Sequence, residues 1–94
     1  MRIVSQDGTI DVPYEISSLS MAAVKYGNVE HATIFCYNSS TATGTKMAGY
    51  SSKGKAKKAM GMLREAWIIE TVEFEDGIYH RNIIFQFPTE EELE

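Results

Sequence analysis

The sequence predicts an α+β domain in which an antiparallel sheet of about five or six strands, built from hairpins, carries one amphipathic helix on a face. Two observations support this fold class. Glycine-containing turns recur between segments that are rich in β-branched and aromatic residues, many of them alternating with polar ones. Between residues 52 and 69, apolar residues instead recur at spacings of three and four, which is the period of a helix.

Strand-like segments flank three short turns, and each turn predicts a hairpin. A helix over residues 20–26 is the alternative for one segment, because alanine is a poor strand former. A further short strand, 45–50, precedes the helix. The expected hairpins join 2–5 to 9–14 through Gln6-Asp7-Gly8, 19–26 to 29–38 through Gly27-Asn28, and 71–75 to 78–87 through Asp76-Gly77.

The end of the chain is acidic. Pro88 terminates the last predicted strand, because proline cannot donate to a strand ladder. We therefore predict a single domain over 1–88 and a frayed acidic tail over 89–94.

A homodimer that buries the C-terminal hairpin is also expected, since both faces of its second strand carry apolar residues.

Length and composition limit the class of protein. The 94 residues are enough for one domain, and 44% apolar with 23% charged residues is typical of a globular protein. No apolar run approaches about 18 residues, and the N-terminus lacks the layout of a signal peptide, so we expect a cytoplasmic protein without a membrane span. The single cysteine, Cys36, excludes a disulfide within one chain, and we expect it to be a buried apolar residue.

The net charge of −4 hides a separation of signs along the chain. Residues 46–58 contain five lysines and no acidic residue, whereas residues 70–94 contain eight acidic residues and one arginine. A protein that binds extended nucleic acid usually has a broad basic face, so we do not expect that partner. No metal site is predicted, because His31 and His80 alone make no usual metal site. No cofactor is predicted, and no catalytic constellation is recognisable from the spacing of its residues.

The start of the predicted helix is unusual. Its first turns carry lysines, although the N-terminal end of a helix favours acidic residues. A bound anion such as a phosphate would resolve this conflict, and a solvated lysine face is the equal alternative. Ser51 or Ser52 is expected to cap the helix.

The same stretch has the spacing of a phosphate-binding P-loop, with Gly49 and Gly54-Lys55 between a strand and a helix. Ala56 occupies the position at which that motif needs a serine or threonine for the magnesium ion, so a nucleoside triphosphatase is not predicted. What the stretch does predict is a site for a small anion, with nearby aromatic residues able to stack on a base. The predicted ligand-binding residues are Tyr37, Lys46, Tyr50, Ser51, Ser52, Lys53, Gly54, Lys55, His80 and Arg81.

Short motifs at both ends of the chain and in the helix occur together: Met1-Arg2-Ile3-Val4-Ser5-Gln6-Asp7-Gly8, Asp11-Val12-Pro13-Tyr14-Glu15, Gly49-Tyr50-Ser51, Ala59-Met60, Met62-Leu63 and Phe85-Gln86-Phe87-Pro88 before an acidic tail. In these motifs, the chain resembles a family of small, largely uncharacterised proteins encoded by phages, prophages and mobile elements of Gram-positive bacteria. Members tend to carry acidic residues after the serine cap, where this chain has Lys53-Gly54-Lys55. The resemblance implies a phage or prophage setting, in which interference with host defence is expected.

Three functions are compatible with these features. The first is a non-enzymatic protein that sequesters a small phosphorylated nucleotide signal in the bacterial cytoplasm through the helix-start lysines. The second is an inhibitor that binds a host or defence protein through its acidic C-terminal segment. The third is a small enzyme that degrades such a signal, and it is the least favoured because no acid–base pair is visible.

Overall fold

A computed structural model describes residues 1–38, 44–69, 71–74, 77–80 and 84–93, with side chains described for 1–38, 44–68 and 84–93. Eight strands, one α-helix and two 3₁₀-helices lie within these ranges. They are β1 (Arg2–Val4), β2 (Asp11–Pro13), a 3₁₀-helix (Tyr14–Ile16), β3 (Ser18–Tyr26), β4 (Val29–Tyr37), β5 (Thr45–Tyr50), α1 (Lys53–Ile69), β6 (Thr71–Phe74), β7 (Gly77–His80), β8 (Ile84–Gln86) and a second 3₁₀-helix (Glu91–Leu93).

The α+β class is confirmed, but the strands are divided among separate sheets. The described strands form sheets in the orders β2-β1-β8, β3-β4-β5 and β6-β7. All neighbours are antiparallel except β1 and β8, which are parallel. A parallel pair needs a long connection, and here the connection from β1 to β8 includes α1 and most of the chain.

The three predicted hairpins are confirmed as the pairs β1–β2, β3–β4 and β6–β7. Gly8 and Gly27 have φ of 79° and 59°, which side-chain-bearing residues rarely adopt, so these turns depend on glycine. The alternative helix over 20–26 is wrong, because all nine residues of β3 pair with β4 in one register. Pairing with a neighbouring strand here outweighs the weak strand preference of alanine.

The strand predicted over 78–87 is described in two parts, and residues 81–83 between them lie outside the described residues. β7 ends at His80 as the partner of β6, and β8 begins at Ile84 as the partner of β1. The Phe87 amide continues this contact by donating to the Val4 carbonyl at 3.1 Å, and the Phe87 side chain is buried. This end of the predicted dimer interface therefore lies inside one chain.

One side of α1 packs on the sheet β3-β4-β5, as predicted. Ala56, Ala59 and Leu63 are almost fully buried, and their spacing of three and four places them on one helix face. The sheet supplies alternate residues of β4, which include Ile34 and Cys36, so the cysteine is buried as predicted. Small alanine side chains at this contact let the helix backbone approach the sheet closely.

The C-terminal segment is packed as far as Leu93, which corrects the prediction of a frayed acidic tail over 89–94. Leu93 is only 5% exposed and belongs to the core. Lys58 Nζ donates to the Leu93 carbonyl at 2.9 Å, and Glu92 accepts hydrogen bonds from the amide and hydroxyl of Thr89. One apolar side chain thus anchors a segment whose composition alone indicates solvation.

Candidate functional site

The face of the sheet β3-β4-β5 that is turned away from α1, which we call the uncovered face, carries a shallow cavity of about 320 Å³. We call this cavity the Lys46 pocket. Alternation along β4 turns Ala32 and Ile34 into the core and leaves His31 and Thr33 on the uncovered face. The pocket is centred between β4 and β5 and extends to the start of α1. Its lining residues are Gln6, His31, Ala32, Thr33, Lys46, Gly49, Tyr50, Ser51 and Glu90.

Lys46 lies across the backbone of Gly49. A Cβ atom added to Gly49 would be 3.3 Å from Lys46 Cε and 3.4 Å from Nζ, so the absent side chain makes room for the lysine. Among the described residues, no carboxylate lies within ion-pair distance of Lys46. The ammonium group therefore presents a positive charge to the pocket without forming a described ion pair, although the Glu90 carboxylate lines the same pocket.

A bulge and a glutamine shape the wall around Lys46. The register of β4 and β5 shifts between Ile34 and Phe35, so that consecutive residues Met47 and Ala48 are both buried. Gln6 covers the outer edge of β5. Its backbone N–H donates to the Met47 carbonyl at 2.7 Å, and its side-chain Oε1 accepts a hydrogen bond from the Gly49 backbone amide at 3.1 Å. The β5 backbone beneath Lys46 is therefore hydrogen-bonded to β4 on one side and to Gln6 on the other.

The first turn of α1 already interacts with carboxylates from elsewhere in the chain. The Glu30 carboxylate, on β4, accepts a hydrogen bond from the Lys53 amide. Glu90 accepts one from the Ser51 amide at 2.5 Å and lies 3.8 Å from Lys55 Nζ. Hydrogen bonding from Ser51, and to a smaller extent the charge of Lys55, lowers the pKa of the Glu90 carboxyl.

Ser52 is the N-cap, since its hydroxyl oxygen accepts from the Lys55 amide at 3.2 Å. This decides between the two serines that the sequence offered. Together, Ser52, Glu30 and Glu90 satisfy amide groups that we expected an external anion to bind. The carboxylates also supply the negative charge that the first turn of this helix lacks in its own sequence.

The two aromatic candidates have different environments. Tyr50 is 4% exposed and its hydroxyl donates to the Pro88 carbonyl at 2.8 Å. Burial, with a smaller effect of the Glu92 charge, raises the pKa of Tyr50 to about 12, so the hydroxyl stays a donor. Tyr37 is 43% exposed on the uncovered face, and its ring lies against Gly44. Of the two, only Tyr37 presents its ring to solvent.

The structure brings three of the predicted residues, Lys46, Tyr50 and Ser51, to one pocket. Tyr37 shares the uncovered sheet face without lining the pocket. The remaining candidates in the helix start, Ser52, Lys53, Gly54 and Lys55, begin α1 beside it. His80 is the last residue of β7, with its side chain outside the described set, and Arg81 lies outside the described residues.

Six residues that line the pocket were not among the predicted ligand-binding residues: Gln6, His31, Ala32, Thr33, Gly49 and Glu90. His31 and Thr33 carry a usable signal, because they alternate with buried residues of β4 and so must share a face. Gln6 and Glu90 carry none, since their positions depend on contacts with residues more than 35 positions away.

A larger cavity of about 500 Å³ lies between α1 and the segment from Tyr14 to Leu19. The rings of Tyr14 and Trp67 meet there, with centroids 4.9 Å apart. None of the predicted ligand-binding residues lines it. Within the described residues, no group of three or more His, Cys, Asp or Glu side chains is arranged to hold a metal ion.

Comparisons with protein-family models, curated proteins and solved structures found no match to this chain. The resemblance to phage and prophage proteins therefore stays a prediction. The part of the chain that the structure describes contains no helix both long and apolar enough to cross a membrane.

Proposed function

We propose that the protein is a non-enzymatic binding protein that sequesters a small phosphorylated nucleotide in the Lys46 pocket. The observation that carries this proposal is the Lys46 ammonium group, which lies over Gly49 in a concave site with no described carboxylate at ion-pair distance from it. Glu90, the acidic residue that also lines the site, accepts a hydrogen bond from the Ser51 amide. A volume of about 320 Å³ is near the lower end of the roughly 300–1,000 Å³ usual for small-molecule sites.

The groups around Lys46 suit a phosphate. A lysine binds phosphate as a compact point charge, and hydroxyl and imidazole groups add directional hydrogen bonds. Thr33 and His31 line the same pocket on β4. Tyr37 presents a half-exposed ring on the same sheet face, and stacking of a base on such a ring contributes about 1–3 kcal/mol.

The proposal assigns the phosphate to Lys46 rather than to the amides of the helix start. Glu30 and Glu90 already accept hydrogen bonds from Lys53 and Ser51, so an external anion would have to displace a carboxylate there. Binding over Gly49 needs no such displacement. Lys53 and Lys55 begin α1 beside the pocket and are not assigned direct contacts, since Glu90 lies 3.8 Å from Lys55 Nζ and offsets its charge.

The rival function, inhibition of a partner protein by the acidic C-terminal segment, has no specific observation in its favour. Glu90 and Glu92 both accept hydrogen bonds within the chain, and Leu93 is buried. A counter-defence role follows from the predicted phage or prophage setting. It adds the expectation that the nucleotide is a signal made by a bacterial defence system.

Isothermal titration calorimetry against cyclic dinucleotides and ADP-ribose derivatives tests the proposal. We expect at least one of these ligands to bind with a dissociation constant of about ten micromolar or tighter. Lys46→Gln should weaken that binding roughly tenfold, equivalent to about 1.4 kcal/mol.

Lys57→Gln is the matched control, because it removes the same charge from an exposed position of α1 outside the pocket. Its affinity should equal that of the parent protein. Absence of binding across the whole panel, or equal losses in the two variants, would contradict the proposal. Mass spectrometry of the bound ligand should recover it unchanged, since the proposal includes no chemical conversion.

A further inference from the structure

The two outer strands of the sheet β3-β4-β5 differ in whether described residues form hydrogen bonds with their outer edges. Gln6 covers the edge of β5 with hydrogen bonds to Met47 and Gly49. At the other side, no described strand pairs with β3 beyond β4. β3 has nine residues and its pairing with β4 shows no register shift, so no bulge interrupts its free edge, which is about 30 Å long.

The β3 edge lacks the devices that usually prevent strand pairing. Proteins protect such edges with prolines, bulges or several charged residues, whereas β3 contains one charged residue, Lys25, and no proline. Apolar side chains near the edge are exposed to solvent: Val24 by 45%, Tyr26 by 72% and Ile16, just before the strand, by 62%.

The turn after β3 defines which backbone groups point outward. Positive φ at Gly27 and not at Asn28 indicates a type II′ turn, in which Tyr26 and Val29 form a hydrogen-bonded pair. Alternation along an antiparallel strand then directs the N–H and C=O groups of Leu19, Met21, Ala23 and Lys25 away from β4. These groups form a regular set of donors and acceptors for another strand.

The total surface is larger than that expected for a compact monomer of this mass. A monomer of 10.5 kDa is expected to expose about 5,400 Å², and this chain exposes 6185 Å². The excess, roughly 750 Å², is close to the area of about 800 Å² that each partner loses in a standard interface. One symmetric contact with a second copy of the same chain would bury a surface of about this size.

We propose that two copies of the protein pair antiparallel through β3, forming a continuous six-stranded sheet across a two-fold axis at Ala22. This register overlaps all nine residues of both strands and matches outward groups with outward groups. It places Ala22 opposite its own copy, Met21 opposite Ala23, and Lys25 opposite Leu19. The two Lys25 residues are then about 20 Å apart, so no like charges meet.

The two-fold axis provides a test with charge reversal. Ala22→Glu and Ala22→Lys each place two like charges directly opposite one another, which destabilises a cross-strand pair. By sedimentation equilibrium, the parent protein should show twice the chain mass of 10.5 kDa, and each variant should dissociate at least tenfold more readily. An equal mixture of the two variants should recover the dimer, because unlike charges then meet at the axis.

Val29→Glu is the control for adding charge to the hairpin, since Val29 is exposed on β4 and not on the free edge. It should remain dimeric. Circular dichroism confirms that each variant retains the parent fold, and recovery of the dimer in the mixture confirms it independently. A parent protein that stays monomeric up to millimolar concentration, or variants that dimerise as well as the parent, would overturn the proposal.

Discussion

The Glu90 carboxylate accepts a hydrogen bond from the Ser51 amide, with Oε1 2.5 Å from the nitrogen. Ser51 lies immediately before the N-cap of a helix whose first turn contains no acidic residue. Glu90 therefore provides, from the end of the chain, the negative charge that stabilises the N-terminus of a helix. The contact also joins the C-terminal segment to the strand–helix junction beside the Lys46 pocket.

Glu90→Gln is expected to reduce the loss of stability in acid. Hydrogen bonding from Ser51 lowers the pKa of Glu90 in the folded protein, so its stabilising effect is complete above the pKa of the unfolded chain. The effect disappears as the pH falls through the lower, folded pKa. Thermal unfolding followed by circular dichroism should show a shallower decline for the variant over that acidic range.

Glu91→Gln provides the control for this pH dependence, since Glu91 is an exposed neighbour in the same segment. Its acid profile should follow that of the parent protein. A Glu90→Gln profile that coincides with the parent at every pH would contradict the contact as a source of stability.

Leu93→Ala should destabilise the protein by about 2–4 kcal/mol, because it removes a buried side chain and leaves a cavity. Leu93 is 5% exposed, while the adjacent Glu91 is exposed. Glu91→Ala should therefore change the free energy of unfolding by less than about 0.5 kcal/mol. Urea denaturation measures both, and equal small effects would indicate that the C-terminal segment is not packed.

The elements of the fold that depend on local pattern could be predicted from the sequence. The turns at Gly8 and Gly27 need positive φ, and the period of Ala56, Ala59 and Leu63 defines a helix face. These signals lie within a few residues of the structure they specify. Each element could therefore be assigned without knowing its neighbours.

The features that were mispredicted or missed depend on residues that are distant in sequence. No local rule places Glu90 beside Ser51, or brings β8 parallel to β1. The candidate site was predicted in part for the same reason: Lys46 is conspicuous by charge, but Gln6 reaches the pocket only through tertiary contacts. Burial of one leucine likewise outweighed the acidic composition of the tail.

Asp7→Asn should also make stability less sensitive to acid, in a defined range of pH. Hydrogen bonds from the side chain of Thr9, then from Ser5 and the Thr9 amide, lower the pKa of Asp7 from 3.8 to about 2. The ionised form therefore stabilises the first hairpin above pH 3.8, and this contribution is lost as the pH falls to about 2. Urea denaturation across this range should show less loss for Asp7→Asn, and identical profiles would contradict the assignment.

Substitution of glycine by alanine should have opposite effects on stability at two positions. Gly61 lies inside α1, and a Cβ atom there would meet nothing within 4 Å. Gly61→Ala should therefore stabilise the protein by about 0.5–1 kcal/mol, because glycine has the greater backbone entropy in the unfolded chain.

Gly27 is equally unobstructed, but its φ is 59°. Gly27→Ala should therefore destabilise the protein by about 1–2 kcal/mol, since a Cβ atom is unfavourable in the left-handed region. Urea denaturation of both variants separates backbone conformation from steric contact, because neither added methyl group has a neighbour to touch. If Gly27→Ala stabilised the protein as Gly61→Ala should, the positive φ of the β3–β4 turn would be wrong, and with it the set of outward-facing groups on β3.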